Sequence, residues 1–259
     1  ADILRIAEPN LILTDRALPK LMQAAAERIG SEVESIETWL SAPEGNAINV
    51  PQVGDDDLAI IYFTSGSTGA PKGEKITHKN YITNVENILK HVEIGADEVF
   101  ADYHDLGFVI SVPVLFPCVM SGGALAPRIS QNDQFLPIKN MQENAVTVLI
   151  TVPSTIARIR KGQTNADTIG GLNVLISCGE PMHIDILDYA FDGLGAKHIY
   201  NFYGSTEVAP WIFHHRCLQK DLENFRALGV VPVGNPIEGN EVRFTEDDEL
   251  WVTGPQVTP

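Results

Sequence analysis

An α/β fold is what the sequence predicts: a parallel sheet with helices on both faces, followed by a short antiparallel β segment. Three apolar runs have the length and β-branched content of buried strands, TVLITV (147–152), LNVLIS (172–177) and KHIYNFYG (197–204). Amphipathic stretches of helical length follow the first two runs. Repeated strand–loop–helix units produce parallel sheets covered by helices, in which ligands collect at the carboxyl ends of the strands.

The C-terminal part of the chain departs from this pattern. Residues 237–254 form short alternating strands around an acidic turn, which is typical of an antiparallel hairpin. We therefore expect three regions: a partial N-terminal α/β segment (1–54), a main α/β core (55–232) and the start of a small β subdomain (233–259).

Composition and charge exclude some classes of protein. The 259 residues include 44% hydrophobic and 20% charged side chains, as in a soluble globular protein with an ample core. A formal net charge of −16 argues against nucleic-acid partners and against anionic membrane surfaces, which select basic patches. Cys118, Cys178 and Cys217 follow no metal-ligand spacing and indicate buried thiols in a reducing compartment. With no leader sequence and no apolar run of membrane-spanning length, we expect a cytoplasmic protein without membrane insertion.

The stretch TSGSTGAPKG (64–73) has the composition of a phosphate-binding loop. It follows the apolar run 57–63 and combines three glycines, four hydroxyls and Lys72. Glycine lets backbone N–H groups turn toward an anion, while hydroxyls and lysine add donors and positive charge. A Walker loop needs glycine before its lysine and a hydroxyl after it, whereas Pro71 and Gly73 flank Lys72. On composition alone, a solvated flexible loop is the alternative.

Two later strand ends carry chemistry that complements this loop. YNFYGSTEVAP (200–210) offers an aromatic ring for stacking on a base, Tyr203, and a carboxylate, Glu207. A carboxylate repels phosphates unless Mg²⁺ lies between them, so Glu207 suits a metal ligand. The alternative is a strand end whose hydroxyls cap a helix. SCGEP (177–181) follows the preceding strand and supplies a second glycine-containing loop.

Together these stretches resemble the motifs of the adenylate-forming enzymes. That superfamily includes acyl-CoA synthetases, fatty acyl-AMP ligases, luciferases and the adenylation domains of nonribosomal peptide synthetases. Residues 64–73 match its phosphate-binding motif, 203–207 match its Y-G-x-T-E motif, and 179–181 match its G-G-E loop. The resemblance implies that 55–232 is a nucleotide- and acyl-binding core. It also implies that the family's C-terminal lid domain is absent from this sequence, so that the chain is a core fragment.

The resemblance assigns roles to individual residues. Tyr203 stacks on the adenine, Thr206 contacts a phosphate, and Glu207 holds Mg²⁺. The residues implied to bind ATP are Thr64, Ser65, Gly66, Ser67, Thr68, Gly69, Lys72, Gly179, Glu180, Pro181, Asn201, Tyr203, Gly204 and Thr206. The residues implied to act in catalysis are Lys72, Thr206 and His104.

The acid-binding pocket is expected to draw on YHDLGFVISVPVLFP (103–117). In amino-acid-activating relatives, an aspartate before a Ser-Val pair binds the substrate α-amino group, and Val109 takes that position here. Burying an unpaired ammonium group there costs several kcal/mol. The start of the stretch resembles the H-D-M-G sequence of fatty acyl-AMP ligases, with His104 as the active-site histidine. The expected pocket residues are His104, Asp105, Val109, Pro153 and Ser177.

The function implied is that of an acid–thiol ligase. A fatty, aryl or other carboxylic acid without an α-amino group reacts with ATP to give acyl-AMP and pyrophosphate. The acyl group then passes to the thiol of CoA or of a phosphopantetheinyl carrier protein. Two alternatives stay open: an adenylation domain for a β- or unusual amino acid, whose amino group Asp102 or Asp105 could meet, and a truncated nucleotide-binding module without turnover. A Walker-type NTPase is disfavoured by Pro71.

Overall fold

The chain folds into two compact units, Ala1–His78 and Lys79–Pro259. The computed structural model describes residues 2–41, 51–65, 69–130, 133, 137–162 and 171–259. The predicted domain boundaries near residues 54 and 232 stay predictions. None of the helices within these described ranges is long and apolar enough to cross a membrane.

The first unit contains a small parallel sheet and a separate hairpin. Its elements are α1 (Asp2–Ala7), β1 (Leu11–Thr14), α2 (Lys20–Ile29), β2 (Glu32–Ser35), α3 (Ile36–Leu40), β3 (Leu58–Ser65) and β4 (Pro71–Thr77). Strands β1 and β2 pair in parallel, whereas β3 and β4 pair antiparallel with Thr64 opposite Lys72.

The hairpin corrects the predicted extent of the 64–73 loop. Pro71, Lys72 and Gly73 belong to β4, because each pairs with a residue of β3 across the hairpin. Gly73 is suited to this place, since a Cβ there would lie 3.1 Å from Ile61 Cγ2. The candidate phosphate-binding residues Gly66, Ser67 and Thr68 lie outside the described residues.

The second unit carries the large sheet and its helices. Its elements are α4 (His78–His91), which begins at the boundary, β5 (Val99–Asp102), α5 (Ser111–Ser121), β6 (Ala124–Pro127), α6 (Ile138–Glu143), β7 (Val148–Thr151), α7 (Pro153–Gly162), β8 (Val174–Ser177), α8 (Ile184–Asp192), β9 (His198–Tyr203), a 3-10 turn (Thr206–Val208), β10 (Phe213–Cys217), α9 (Asp221–Asn224), β11 (Asn235–Pro236), β12 (Glu241–Phe244) and β13 (Leu250–Thr253).

The strand order confirms the predicted α/β class. The sheet runs β11-β10-β9-β8-β7-β5-β6, and the five strands from β9 to β6 are parallel. Strand β10 pairs antiparallel with β9. The predicted antiparallel segment is the β12–β13 hairpin.

Helices cover both faces of the sheet because side chains alternate along the central strands. In β7, Val148 and Ile150 enter a core shared with α4 and α5, whereas Leu149 enters a core shared with α6, α7 and α8. Leu175 in β8 likewise points to the second core. Every residue of β7 and β8 is buried. The three cysteines are free and buried, as predicted.

Candidate active site

Three neighbouring cavities open in the second unit where the parallel strands end. The polar cavity, about 320 Å³, is lined by Tyr103, His104, Asp105, Phe108, Thr151, Val152, Thr155, Arg158 and Glu180. The apolar cavity, about 380 Å³, is lined by Gly179, Glu180, Pro181, Asn201, Phe202, Tyr203, Gly204, Val230, Val231, Pro232 and Val233. The Glu207 cavity, about 340 Å³, is lined by Tyr203, Gly204, Ser205, Glu207, Val208, Ile212, Leu250, Val252 and Val257. Shared wall residues, Glu180 on one side and Tyr203 with Gly204 on the other, join the three.

His104 lies in the polar cavity directly after β5. Its Nε2 is 2.9 Å from the Ile150 carbonyl oxygen. A carbonyl oxygen only accepts, so Nε2 donates and the neutral ring presents Nδ1 as an acceptor. Burial lowers the pKa of His104, outweighing the opposing effects of the Ile150 bond and the carboxylates of Asp102 and Asp105. The ring is therefore poised as a neutral acceptor at pH 7.

Two aspartates flank this histidine in different environments. Asp105 is exposed and pairs with Arg128, with Oδ1 2.8 Å from the guanidinium. Burial raises the pKa of Asp102, against the opposing effects of His104 and Arg128. Asp102 Oδ1 is buried and has no hydrogen-bond partner among the described residues. Asp105 is therefore charge-paired, whereas burial disfavours the charged form of Asp102.

Arg158 is a cavity residue that the sequence did not reveal. A basic helix end such as 158–161 is usually a solvated face, and Arg158 is exposed. Arg158 also lies at the polar cavity, where it donates to Thr155 Oγ1 at 2.7 Å. The signal was the spacing of Thr155 and Arg158. Thr151 ends β7, whereas Thr155 and Arg158 lie three residues apart in α7, a spacing that places two side chains on one face of a helix.

The apolar cavity is closed by backbone contacts. Asn201 is buried in β9, and its Nδ2 donates to the carbonyl oxygens of Val231 and Pro232, both at 3.1 Å. Tyr203 is 46% exposed, and its ring stands edge-on to Phe213. A Cβ on Gly204 would lie 2.0 Å from the Pro210 carbonyl oxygen, so the backbones approach too closely for a side chain. The result is an apolar slot beside an accessible aromatic ring, suited to a flat heterocycle.

The loop after β8 separates the polar and apolar cavities. Gly179 has a φ of 76°, and a Cβ there would lie 3.3 Å from Val152 Cγ1. Cys178 is fully buried, and burial raises the pKa of its thiol. The Glu180 carboxylate accepts hydrogen bonds from the Ser154 N–H and hydroxyl, both at 2.9 Å.

Glu207 is exposed in the 3-10 turn that follows β9. Its backbone carbonyl accepts from the Thr258 N–H at 2.9 Å, which ties the turn to the C-terminal strand region. Ser205 and Glu207 are the polar side chains of an otherwise apolar cavity wall. An exposed carboxylate beside a hydroxyl is a donor set that suits a hard divalent cation. The neighbouring Thr206 is partly buried in the same turn.

Three expected pocket residues do not line the polar cavity and lie in or beside the core instead. Val109 packs against the core shared with α4 and α5, Pro153 is the buried first residue of α7, and Ser177 is the buried last residue of β8. None of the three is among the described residues that line the polar cavity. The Ser177 Oγ has no hydrogen-bond partner within the described residues.

In the first unit, Lys72 lies on the hairpin strand β4. Its Nζ is 2.5 Å from Glu74 Oε1, and the lysine side chain is two-thirds exposed while that of Glu74 is buried. Thr64 is directly opposite Lys72, so the hairpin brings two of the predicted phosphate contacts together. Gly69 has the positive φ, 84°, that a tight connection requires.

Comparisons with known proteins agree with the motifs. The chain matches the family of AMP-binding enzymes over residues 1–259. It is 29% identical over 245 residues to an L-proline--[L-prolyl-carrier protein] ligase of Streptomyces coelicolor, covering 89% of this chain and 45% of that protein. It is 27% identical over 235 residues to a D-alanine--D-alanyl carrier protein ligase of Staphylococcus aureus, covering 90% and 48%. The chain spans about half the length of the curated relatives it matches.

A solved structure supports the same relationship. The structure of IdnL7 superposes with a TM-score of 0.82 at 25% sequence identity, covering 99% of this chain and 55% of that one. The predicted resemblance to adenylate-forming enzymes is confirmed, because the family match extends from the first residue to the last. The chain belongs to the family of AMP-binding enzymes.

Proposed function

We propose that the protein activates a carboxylic acid as an acyl adenylate and transfers the acyl group to a thiol. A carboxylate oxygen attacks the α-phosphorus of ATP, the bond to the bridging oxygen breaks, and pyrophosphate leaves. The thiol sulfur then attacks the acyl carbon, and AMP leaves with the bonding electrons. The observation that carries this proposal is the set of three cavities joined through Glu180, Tyr203 and Gly204.

Each cavity suits one part of the reactants. The apolar cavity takes the adenine against Tyr203, and the Glu207 cavity takes the phosphate end of the nucleotide. Magnesium held by Glu207 would offset the phosphate charge. The polar cavity takes the acid, with His104 in its wall. Lys72 and Thr206 keep their proposed phosphate contacts, and Lys72 must exchange its Glu74 partner to make one.

The proposed acid lacks an α-amino group. Val109 replaces the carboxylate that would pair with such a group, and it packs against an apolar core. An unpaired ammonium in that position is strongly disfavoured. We propose a carrier-protein phosphopantetheine as the acceptor rather than CoA, because both curated relatives are named as carrier-protein ligases.

A β- or otherwise unusual amino acid is the second candidate substrate. Asp105 lines the polar cavity, and the carboxylate of Asp102 is close to His104. An amino group displaced from the α-position could pair with either of them. The two relatives are named for proline and D-alanine, which favours an amino acid in general but not an amino group in the β-position.

Pyrophosphate release by the complete protein tests the proposal. The acids come in matched sets that differ in the amino group alone: propanoate, alanine and β-alanine, then 3-phenylpropanoate, phenylalanine and 3-amino-3-phenylpropanoate. We expect turnover with the unsubstituted acid of a set and little with its α-amino partner. Turnover confined to the β-amino acids would favour the second candidate. Turnover best with the α-amino acids would contradict both.

Variants link that activity to the site. Glu207→Gln should lower kcat/KM for ATP by at least about 10-fold, since metal sites lose that much even when supporting residues change. Glu246→Gln, a substitution of an exposed glutamate in the β12–β13 turn, is the matched control and should have no effect. Equal activity of both variants would remove Glu207 from the site.

A further inference from the structure

Glu180 lines both the polar cavity and the apolar cavity. Both of its carboxylate oxygens are engaged at 2.9 Å, one by the Ser154 N–H and the other by the Ser154 hydroxyl. Ser154 is in the first turn of α7, the helix whose Thr155 and Arg158 line the polar cavity. One side chain therefore connects the wall between the cavities to the helix that shapes one of them.

The start of α7 depends on this contact. The helix begins at Pro153, and the preceding Val152 has no polar side chain with which to cap it. The first N–H groups of a helix have no partner within the helix, and a negative charge near them is favourable. The Ser154 N–H obtains its partner from Glu180, although 26 residues separate the two in sequence.

The loop that carries Glu180 is packed closely against the end of β7. The Cys178 N–H donates to the Thr151 carbonyl oxygen at 3.0 Å. Gly179 leaves no room for a Cβ without pressing on Val152. A shift of this loop must therefore also shift Val152 or the first turn of α7.

We infer that Glu180 is a positioning residue that couples nucleotide binding in the apolar cavity to the shape of the polar cavity. The inference rests on the proposed function, because it takes a nucleotide as the occupant of the apolar cavity. A base that packs against residues 179–181 restricts the motion of the loop. Because Glu180 is bonded twice to Ser154, the motion of the first turn of α7 is restricted as well. By reciprocity, an acid in the polar cavity tightens nucleotide binding by the same factor.

Hydrogen exchange of the complete protein, with and without AMP, tests this coupling. In the native protein, AMP should slow amide exchange at least about fivefold both in the loop 178–181 and in residues 154–156. At an AMP concentration that saturates each protein, Glu180→Ala should retain the protection of the loop and reduce that of 154–156 to less than about twofold, even if the variant binds AMP more weakly. In Glu180→Gln the protection of 154–156 should fall between those of the native protein and the alanine variant, since the amide group can accept at one atom only. This variant replaces Glu180→Ala in the experiment if the alanine variant does not fold.

A matched control acts at the other end of the same helix. Asp185→Ala removes the 2.9 Å contact with Arg160 and should leave the protection of 154–156 unchanged. Protection of 154–156 that survives Glu180→Ala and Glu180→Gln would overturn the coupling while leaving the proposed function intact. If AMP protects neither the loop nor the end of β9, the nucleotide site itself is wrong, and the coupling falls with it.

Discussion

The polar and apolar cavities lie at the same edge of one sheet, yet their walls have opposite character. Strand β7 is followed at once by helix α7, whose first turns bring Thr155 and Arg158 to the polar cavity. Strands β8 and β9 are followed by loops in which Gly179 and Gly204 allow close backbone contacts. A parallel sheet thus offers equivalent positions at its carboxyl edge. Whether a helix or a tight loop follows each strand decides which chemistry is presented there.

Gly204→Ala is the change that should damage the apolar cavity most. The new Cβ would lie 2.0 Å from the Pro210 carbonyl oxygen and 2.8 Å from Trp211 Cα, so backbone rather than a flexible side chain has to move. We expect a loss of about 3 kcal/mol in the free energy of unfolding, measured by urea denaturation. Calorimetry should show that ATP binding is lost as well.

Gly95→Ala is the control for that loss. No described atom lies within 4 Å of the Cβ that this substitution would add. Its stability should therefore stay within about 0.5 kcal/mol of the native protein. A Gly204→Ala variant as stable as this control would show that the backbone at Pro210 and Trp211 can move away from the new Cβ at little cost in free energy.

Asn201→Ala should have the next largest effect. It removes the two bonds that hold the 231–232 segment over the apolar cavity and leaves two carbonyl oxygens without these donors. The expected cost is about 1–3 kcal/mol in urea denaturation, together with weaker ATP binding. Asn224→Ala, at the exposed end of α9, is the matched substitution and should leave both quantities unchanged. Equal behaviour of the two variants would contradict this account of how the cavity is closed.

A histidine of the polar cavity and one outside all three cavities should both make the protein sensitive to acid. Burial is the largest cause of a lowered pKa in both His104 and His214, and the neighbouring His91 and His215 lower that of His214 further. Between the lowered folded value and the ordinary 6.5, the unfolded chain binds more protons. Stability therefore falls as the pH drops below 6.5, by at most about 1.4 kcal/mol per pH unit for each ring.

Substitution separates the two histidines. His214→Gln should flatten the pH dependence of the free energy of unfolding and leave adenylation intact. His104→Gln should flatten the same dependence and lower kcat as well. The comparison uses urea denaturation between about pH 7 and pH 5. His183→Gln, an exposed substitution before α8, is the control. A His214 variant with the native pH dependence would show that burial there does not suppress protonation.

The central part of the fold could be predicted because its signal is local. The runs at 147–152 and 172–177 are mostly apolar, as is usual for strands buried on both faces, and they contain β7 and β8. Strand β4 escaped prediction, since PKGEKIT (71–77) is polar and is a strand through its pairing with β3. Such pairing depends on the neighbouring strand of the hairpin and leaves no apolar pattern in the segment itself.

The candidate site also contains residues that the sequence predicted and residues that it did not. Composition and position after a strand pointed to Tyr203 and Glu207, the family resemblance pointed to His104, and all three line cavities. The bond from Glu180 to Ser154 was not foreseeable, because it joins two different strand–helix units. Arg158 was missed because a basic residue near a helix end is usually solvated.

The complete burial of β7 and β8 has an evolutionary consequence. A substitution at an apolar position of those strands disturbs one of the two cores, so these strands have little freedom to diverge. Residues 105–108, by contrast, are exposed and follow β5 as a loop at the polar cavity. If the polar cavity takes the acid as proposed, new acid preferences would arise through changes in that loop while the scaffold beneath it stays the same. Members of the family can in this way acquire different substrates from one inherited sheet.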